Sequence, residues 1–348
     1  MKYVIKCLLF ASLFYACEEV EHVSESFSEI NEFLIQREPE VTTTLRSSGD
    51  SKETFVSGDQ IYVYGFSKPV AGASTLIDGR VRFMPTVGEI GTIYEYERNR
   101  DDGWHRFKRT PSLIDPEIGY WRTKQYHDFT AYYYDHTPAQ ITRELELEMT
   151  ATGLPKEELL WGEVKDIYFS GEALVIPEIK FKHQLSRIRV LVMHDMADIA
   201  AEDFDITGIQ FKLDKSAATF NLETGEWTNS VSEEHQIAEA FTDLEMDDFP
   251  KLEFQEITDL WVLPYCTISD FKFSLIQHEL PLPDFSVNFE GHFDDSGTGN
   301  PTTIVTKPGY ITTLRILFGK IKPIIFTVSL DPWDVQSKTS TITDIEEL

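Results

Sequence analysis

Side chains able to do acid–base, nucleophilic or metal chemistry are plentiful in this sequence but scattered. Nine histidines and three cysteines (Cys7, Cys17 and Cys266) show no spacing that would gather metal ligands. His127 and Asp128 adjoin within a run of strand character, and neighbours on a strand point to opposite faces. They are therefore not expected to converge as acid and base. His183, on one strand face between Phe181 and Leu185, reads as a structural histidine bonded to backbone. The segment Asp294-Asp295-Ser296-Gly297-Thr298-Gly299-Asn300 faintly suggests a calcium loop. It lacks the alternating ligands and the closing glutamate, which leaves a polar hairpin turn. No Gly-rich phosphate loop follows a strand, and Gly-x-Ser-x-Gly does not occur. These patterns point away from an enzyme, a metal site and a bound cofactor.

Charge narrows the partners. The 348 residues carry 59 acidic against 31 basic side chains, a formal net charge of −28. Such a surface repels phosphate backbones, which excludes nucleic acid as the main partner, and it disfavours docking by charge on anionic lipid. Hydrophobic residues make up 41% and aromatics 13%, enough to bury real cores.

The first residues read as an address. Lys2 and Lys6 precede ten mostly apolar residues, Cys7 to Ala16, too short for a bilayer that needs ~20 helical residues and suited to a secretory signal. Phe14-Tyr15-Ala16-Cys17 resembles a bacterial lipobox, with Cys17 as the lipidated N-terminus; an ordinary signal cut nearby is the other reading. Acylation at Cys17 would supply a stable anchor in the outer membrane. The acidic Glu18-Glu19-Val20-Glu21 resembles a surface-export signal of Bacteroidales lipoproteins. Residues 1–16 are thus expected to be a signal peptide and residues 17–50 a tether or N-terminal segment.

The elements behind this leader are strands. Within the tether, Ile30, Phe33 and Leu34 fall at helical spacing, which predicts a short helix over Glu29–Gln36. Val41–Leu45 could form a short strand, and Arg46 to Asp50 a protease-accessible loop. Gln60–Tyr64, Phe129–Tyr134 and Ile179–Phe181 alternate as strands, and Leu174–Ile176 precedes Pro177. Along Phe181–Val192 the apolar parity changes, which predicts a β-bulge near Ser186-Arg187, or else two strands with no turn residue between them. Further strands are expected at Ile206–Leu213, Ala218–Leu222, Leu260–Leu263 and Phe271–Ile276. A short helix is expected at Glu234–Phe241. Tyr310–Phe318 and Ile324–Leu330 should form a hairpin. The chain reads as mostly β, with two β-sandwiches in tandem at 51–197 and 198–348. Tyr132, Tyr133 and Tyr134 are not all expected to be buried, since alternate residues face opposite ways.

These strand signatures resemble the fimbrillin family of Bacteroidales surface fimbriae. Gly58 and Asp59 ahead of Ile61 match the family's Phe-x-x-Gly-Asp-x-Ile strand start. Trp121 followed by Tyr126, Phe129, Ala131 and Tyr132 resembles its Trp…Tyr-x-Phe-x-Ala-Tyr segment. Glu158-Leu159-Leu160-Trp161 resembles its Asp-Leu-Leu-Trp motif. Phe181, His183, Leu185 and Arg187 match Phe-x-His-x-Leu-Ser-Arg-Ile. Trp261 and Pro264, then Tyr310, then Trp333 resemble its C-terminal landmarks.

The resemblance implies transthyretin-like folds for the two sandwiches, export as a lipoprotein, and a cell-surface location. It also implies proteolytic removal of an N-terminal segment, opening a groove that another subunit's strand fills. Arg46 is the first candidate cleavage site and Arg37 the second; a solvated loop arginine is the plainer reading of Arg46. After Trp333 the chain has only sparse apolar residues, which makes it a poor strand donor. The expected function is thus a non-enzymatic accessory, tip or anchor fimbrial subunit in cell adhesion. Its expected partners are other fimbrial subunits, with a host protein or glycan as adhesion ligand. A glycan-binding outer-membrane lipoprotein built on the same sandwiches is the alternative.

Overall fold

The structure, a computed structural model, describes residues 32–35, 58–76, 79–84, 91–98, 105–109, 121–135, 142–171, 177–196, 204–242, 244–249, 251–287, 304–319 and 323–332. In chain order its first strands are β1 (Glu32–Ile35), β2 (Gln60–Lys68), β3 (Val81–Arg82), β4 (Thr92–Arg98) and β5 (His105–Arg109). Next come β6 (Gln125–Tyr134), β7 (Glu144–Glu148), β8 (Leu159–Phe169), β9 (Glu178–His183) and β10 (Ser186–His194). They are followed by β11 (Phe204–Leu213), β12 (Ala217–Asn221), β13 (Glu226–Val231), β14 (His235–Ala240), β15 (Gln255–Val262) and β16 (Thr267–Gln277). The last are β17 (Leu280–Pro281), β18 (Phe285–Ser286), β19 (Ile304–Val305), β20 (Tyr310–Phe318) and β21 (Pro323–Pro332). A 3₁₀ turn at Met246–Asp248 is the one helical element among the described residues.

Alternation of apolar residues explains the strands, and both faces of several strands are covered. The first sheet runs β3-β2-β4-β5-β1-β9-β8-β6, and β6 also pairs with β2, so its pairing closes on itself. Ile61, Val63, Phe129, Ala131 and Tyr133 face one core with Tyr94, Trp121, Leu160 and Ile179. The alternate residues Tyr62, Tyr64, Phe66 and Tyr132 face a second core shared with the rest of the molecule. Their positions obey the period of two that a pleated strand imposes.

The remaining strands form a four-stranded sheet, β15-β10-β20-β21, and a sheet built on β14-β11-β16-β17 with β18 and β19 also against β16. These two sheets share the second core, where Phe273 of β16 meets Phe318 of β20 edge-on at 5.1 Å. A three-stranded sheet, β13-β12-β7, contributes Leu145 and Phe220 to the same core. The β20–β21 hairpin pairs antiparallel from Tyr310↔Pro332 to Phe318↔Pro323, as the sequence leads one to expect.

Three local expectations are corrected. Glu29–Gln36 contains no described helix; Glu32–Ile35 is β1, paired antiparallel with β5 and parallel with β9. A helix this short is marginal in water, whereas two flanking ladders satisfy the same backbone groups. Likewise Glu234–Phe241 is no helix: His235–Ala240 is β14, with six registered pairs to β11. Finally, Phe181–Val192 is two strands rather than one bulged strand. The parity changes at Gln184-Leu185 because the chain leaves the closed sheet there and enters the four-stranded one. The expected strands at Val41–Leu45 and Leu174–Ile176, and the 294–300 turn, lie outside the described residues.

Candidate functional site

Strand β1 occupies a slot between two strands of the closed sheet. Its register places Glu32, Phe33 and Leu34 opposite Lys108, Phe107 and Arg106 of β5. On the other side, Leu34 and Ile35 pair with Glu178 and Ile179 of β9. Among the described residues β5 and β9 have no pairing with each other, and β1 closes the sheet between them. The connection onward to β2 carries Arg37 and Arg46, which, with Cys17, lie outside the described residues.

The sequence landmarks that come together do so where the chain passes from β9 to β10. His183 Nδ1 lies 2.8 Å from Glu158 Oε1, with Glu158 fully buried and His183 nearly so. To the expectation of a structural histidine the structure adds a buried carboxylate, an ionisable partner that strand parity alone does not reveal. The Leu185 carbonyl accepts the Gly309 N–H at 2.9 Å, and Ser186 Oγ donates to the Lys307 carbonyl at 2.6 Å. Arg187 Nε donates to Asp259 Oδ1 at 2.9 Å, and its guanidinium lies 5.9 Å from the centre of the Trp261 ring. Leu154 N–H in turn reaches the Trp261 carbonyl. Tyr310, next to Gly309, begins β20 and is partly exposed. Pro264 follows β15 after Leu263, whose carbonyl accepts the Thr306 hydroxyl at 2.9 Å. Trp161 Nε1 donates to the Leu222 carbonyl at 3.1 Å, tying β8 to the end of β12. Gly58 and Asp59 stand at the start of β2, and Trp333 lies outside the described residues.

His127 and Asp128 diverge, as their adjacency requires. The His127 ring is buried among Trp121, Phe129 and Phe83, with its Nε2 accepting the Arg122 N–H at 3.1 Å. Burial pushes its pKa down to about 4. Asp128 points to the opposite face, where Lys68 Nζ lies 2.7 Å from its Oδ1. The same ammonium reaches Asp166 Oδ1 at 2.8 Å, and Arg80 Nε approaches Asp128 at 3.4 Å. Burial opposes the Lys68 charge, yet these two carboxylates hold its pKa above the ordinary lysine value. Asp166 is held low by Lys68 and by the Gly72 N–H. The arrangement locks a turn onto the sheet and leaves no open acid–base pair in it. Lysine among Tyr62, Tyr64 and Phe66 at alternate positions of a strand was the available signal, because a lysine on a buried face demands carboxylates.

The three tyrosines are not all buried, as alternation leads one to expect. Tyr132 and Tyr133 are both buried, on opposite faces, because each face of β6 has its own core; Tyr134 is half-buried and donates to Glu157. Burial, followed by the hydrogen bonds to Asp135 and Glu157, raises the Tyr133 and Tyr134 hydroxyls above the usual phenol range. Tyr132 stacks on Tyr62 at 4.9 Å. Cys266 is buried and its thiol is pushed up to about 12 by that burial, which makes it inert. Among the described residues no group of His, Cys, Asp and Glu is placed to hold a metal ion. Nor is any described helix long and apolar enough to cross a membrane.

Comparison with known proteins supplies the family. No curated protein matches the chain. Among solved structures, a candidate cell adhesion protein of Bacteroides uniformis aligns over 82% of this chain and 95% of its own, at 16% identity and a TM-score of 0.49. A fimbrial protein of Bacteroides vulgatus aligns over 87% of this chain and 99% of its own, at 11% identity and a TM-score of 0.42. A candidate cell adhesion protein of Parabacteroides distasonis aligns over 87% and 98%, at 8% identity and a TM-score of 0.44. The family model for fimbrillin-like proteins matches residues 46–333, most of the chain. The chain belongs to the fimbrillin-like family.

Proposed function

We propose that this protein is a non-enzymatic subunit of a surface fimbria, anchored through a lipid on Cys17, that assembles by accepting a strand from another subunit. The observation that carries this reading is the position of β1. It lies N-terminal to Arg37 and Arg46, and among the described residues it is the sole bridge between β5 and β9. A cut at either arginine would detach β1 from the body. Its departure would leave the outward N–H and C=O groups of β5 and β9 unpaired, and a foreign strand could satisfy them in its place. β1 is only four residues long, so few hydrogen bonds hold it once the covalent link is cut.

The test compares a chain beginning at Ser47 with one that retains β1. With a labelled peptide spanning residues 29–36 as the donor strand, fluorescence anisotropy should find that the shorter chain binds it and that the longer one does not until an arginine-specific protease is added. Arg37→Lys combined with Arg46→Lys should block that conversion. No binding of the peptide by the shorter chain, with that chain folded by circular dichroism, would refute strand acceptance.

A further inference from the structure

Strand β15 forms one side of the four-stranded sheet, and β10 is its single sheet partner among the described residues. Its other side is not blank. The Leu154 N–H bonds to the Trp261 carbonyl, an isolated antiparallel bridge, so Trp261 directs its main-chain groups away from β10. Alternation along an antiparallel ladder then turns the N–H and C=O of Asp259 outward as well. A second strand is begun at Leu154 and stops at Pro155, which has no N–H and turns the chain away.

Beyond that stop lies a groove of about 510 Å³ between the 152–156 loop, β15 and Glu239 of β14. Its lining includes Leu154 and Ile257, the carboxylates Glu239 and Glu256, and one lysine, Lys156; Asp259 also lines it, with its carboxylate already held by Arg187. Glu256 is about half exposed (47%) although it pairs with Arg189, so its carboxylate can still take a second cation.

We propose that the outer edge of β15, continuing from the Leu154 bridge, accepts an extended basic segment of a partner protein as an added strand. Main-chain hydrogen bonds at Asp259 would supply binding, and lysine or arginine side chains meeting Glu256 and Glu239 would supply selectivity. An acidic segment would be repelled by the same carboxylates. The site lies on the β15 edge and does not require β1 to leave, so it is independent of the strand slot proposed above.

The test uses a chain with β1 intact and three synthetic heptapeptides. One alternates lysine and valine, one alternates glutamate and valine, and one is the lysine peptide N-methylated at every second residue. Fluorescence anisotropy should show binding of the lysine peptide only, and about tenfold weaker binding to Glu256→Lys. Hydrogen exchange on the unaltered protein should show the Asp259 amide slowed when that peptide is present. Equal binding of the methylated peptide would mean adsorption by charge and would overturn strand addition. Equal binding of the glutamate peptide, or no change at Asp259, would overturn it as well. Self-association of the peptide-free protein that Glu256→Lys abolishes would assign this edge to a second copy instead.

Discussion

His183 and Glu158 meet through a 2.8 Å contact, both buried, at the point where the chain leaves one sheet for another. The two residues stand 25 positions apart, on β9 and just ahead of β8. Their pairing fixes the end of β9 while Leu185 and Ser186, immediately following, are held by Gly309 and Lys307. The passage between sheets is therefore pinned from both sides.

Breaking that pair from one side should cost more than removing it whole. His183→Leu leaves the Glu158 carboxylate buried without its imidazole and should destabilise by about 3 kcal/mol. The double variant Glu158→Met with His183→Leu should cost less than the sum of the two single changes. Urea denaturation of all four proteins, taken as a double-mutant cycle, checks this; strict additivity would mean that the contact carries no coupling.

The Lys68 cluster offers a graded comparison. Asp128 has a side chain only 4% exposed, whereas that of Asp166 is 43% exposed. Asp128→Asn should therefore destabilise by about 3 kcal/mol, and Asp166→Asn by no more than about 1 kcal/mol. Added salt should change the first loss little, because buried charges are poorly screened. Chemical denaturation at low and high ionic strength measures both.

Acidification should act through His127. Its folded-state pKa of about 4 lies below the ordinary histidine value of 6.5, so the unfolded chain takes up the proton first. The stability associated with the neutral ring is complete above pH 6.5 and is lost as pH falls from there towards 4. The full effect of this one group is about 3 kcal/mol. His127→Phe, which keeps a ring among Trp121 and Phe129, should flatten the stability profile over that window. An unchanged slope between pH 6.5 and 4 would remove His127 from the account.

Two glycines separate backbone cost from packing cost. Gly225 and Gly72 both adopt left-handed φ, +73° and +79°. A Cβ on Gly225 would fall 2.6 Å from the Trp161 ring, while one on Gly72 meets nothing within 4 Å. Gly72→Ala should cost about 1 kcal/mol for conformation alone. Gly225→Ala should cost about 2–3 kcal/mol and shift the Trp161 fluorescence by disturbing its bond to Leu222. Thermal unfolding and emission spectra distinguish the two.

Alternation made most strands readable before any coordinates. Gln60–Tyr64, Phe129–Tyr134, Ile206–Leu213 and Tyr310–Phe318 all sit within observed strands. Reading failed where periodicity was short or two-valued. Ile30, Phe33 and Leu34 fit a helix, yet β5 and β9 take up the backbone of residues 32–35 as a strand. His235–Ala240 went the same way against β11. At Gln184-Leu185 the parity change was visible, but a bulge and a change of sheet leave the same mark in a sequence.

Residue types and their order determined that this chain is built of strands, that it belongs on the acidic side of any charge pairing, and that Glu158, His183 and Arg187 stand in motifs. Tertiary structure decided who meets whom. It set Glu158 against His183, Asp259 against Arg187 and Lys68 between two aspartates, and it placed β1 as the closing strand of a sheet. The physical reason is that strand character arises from alternation within a few residues. Pairing, by contrast, depends on long-range burial and on ladders between segments that a local pattern does not connect.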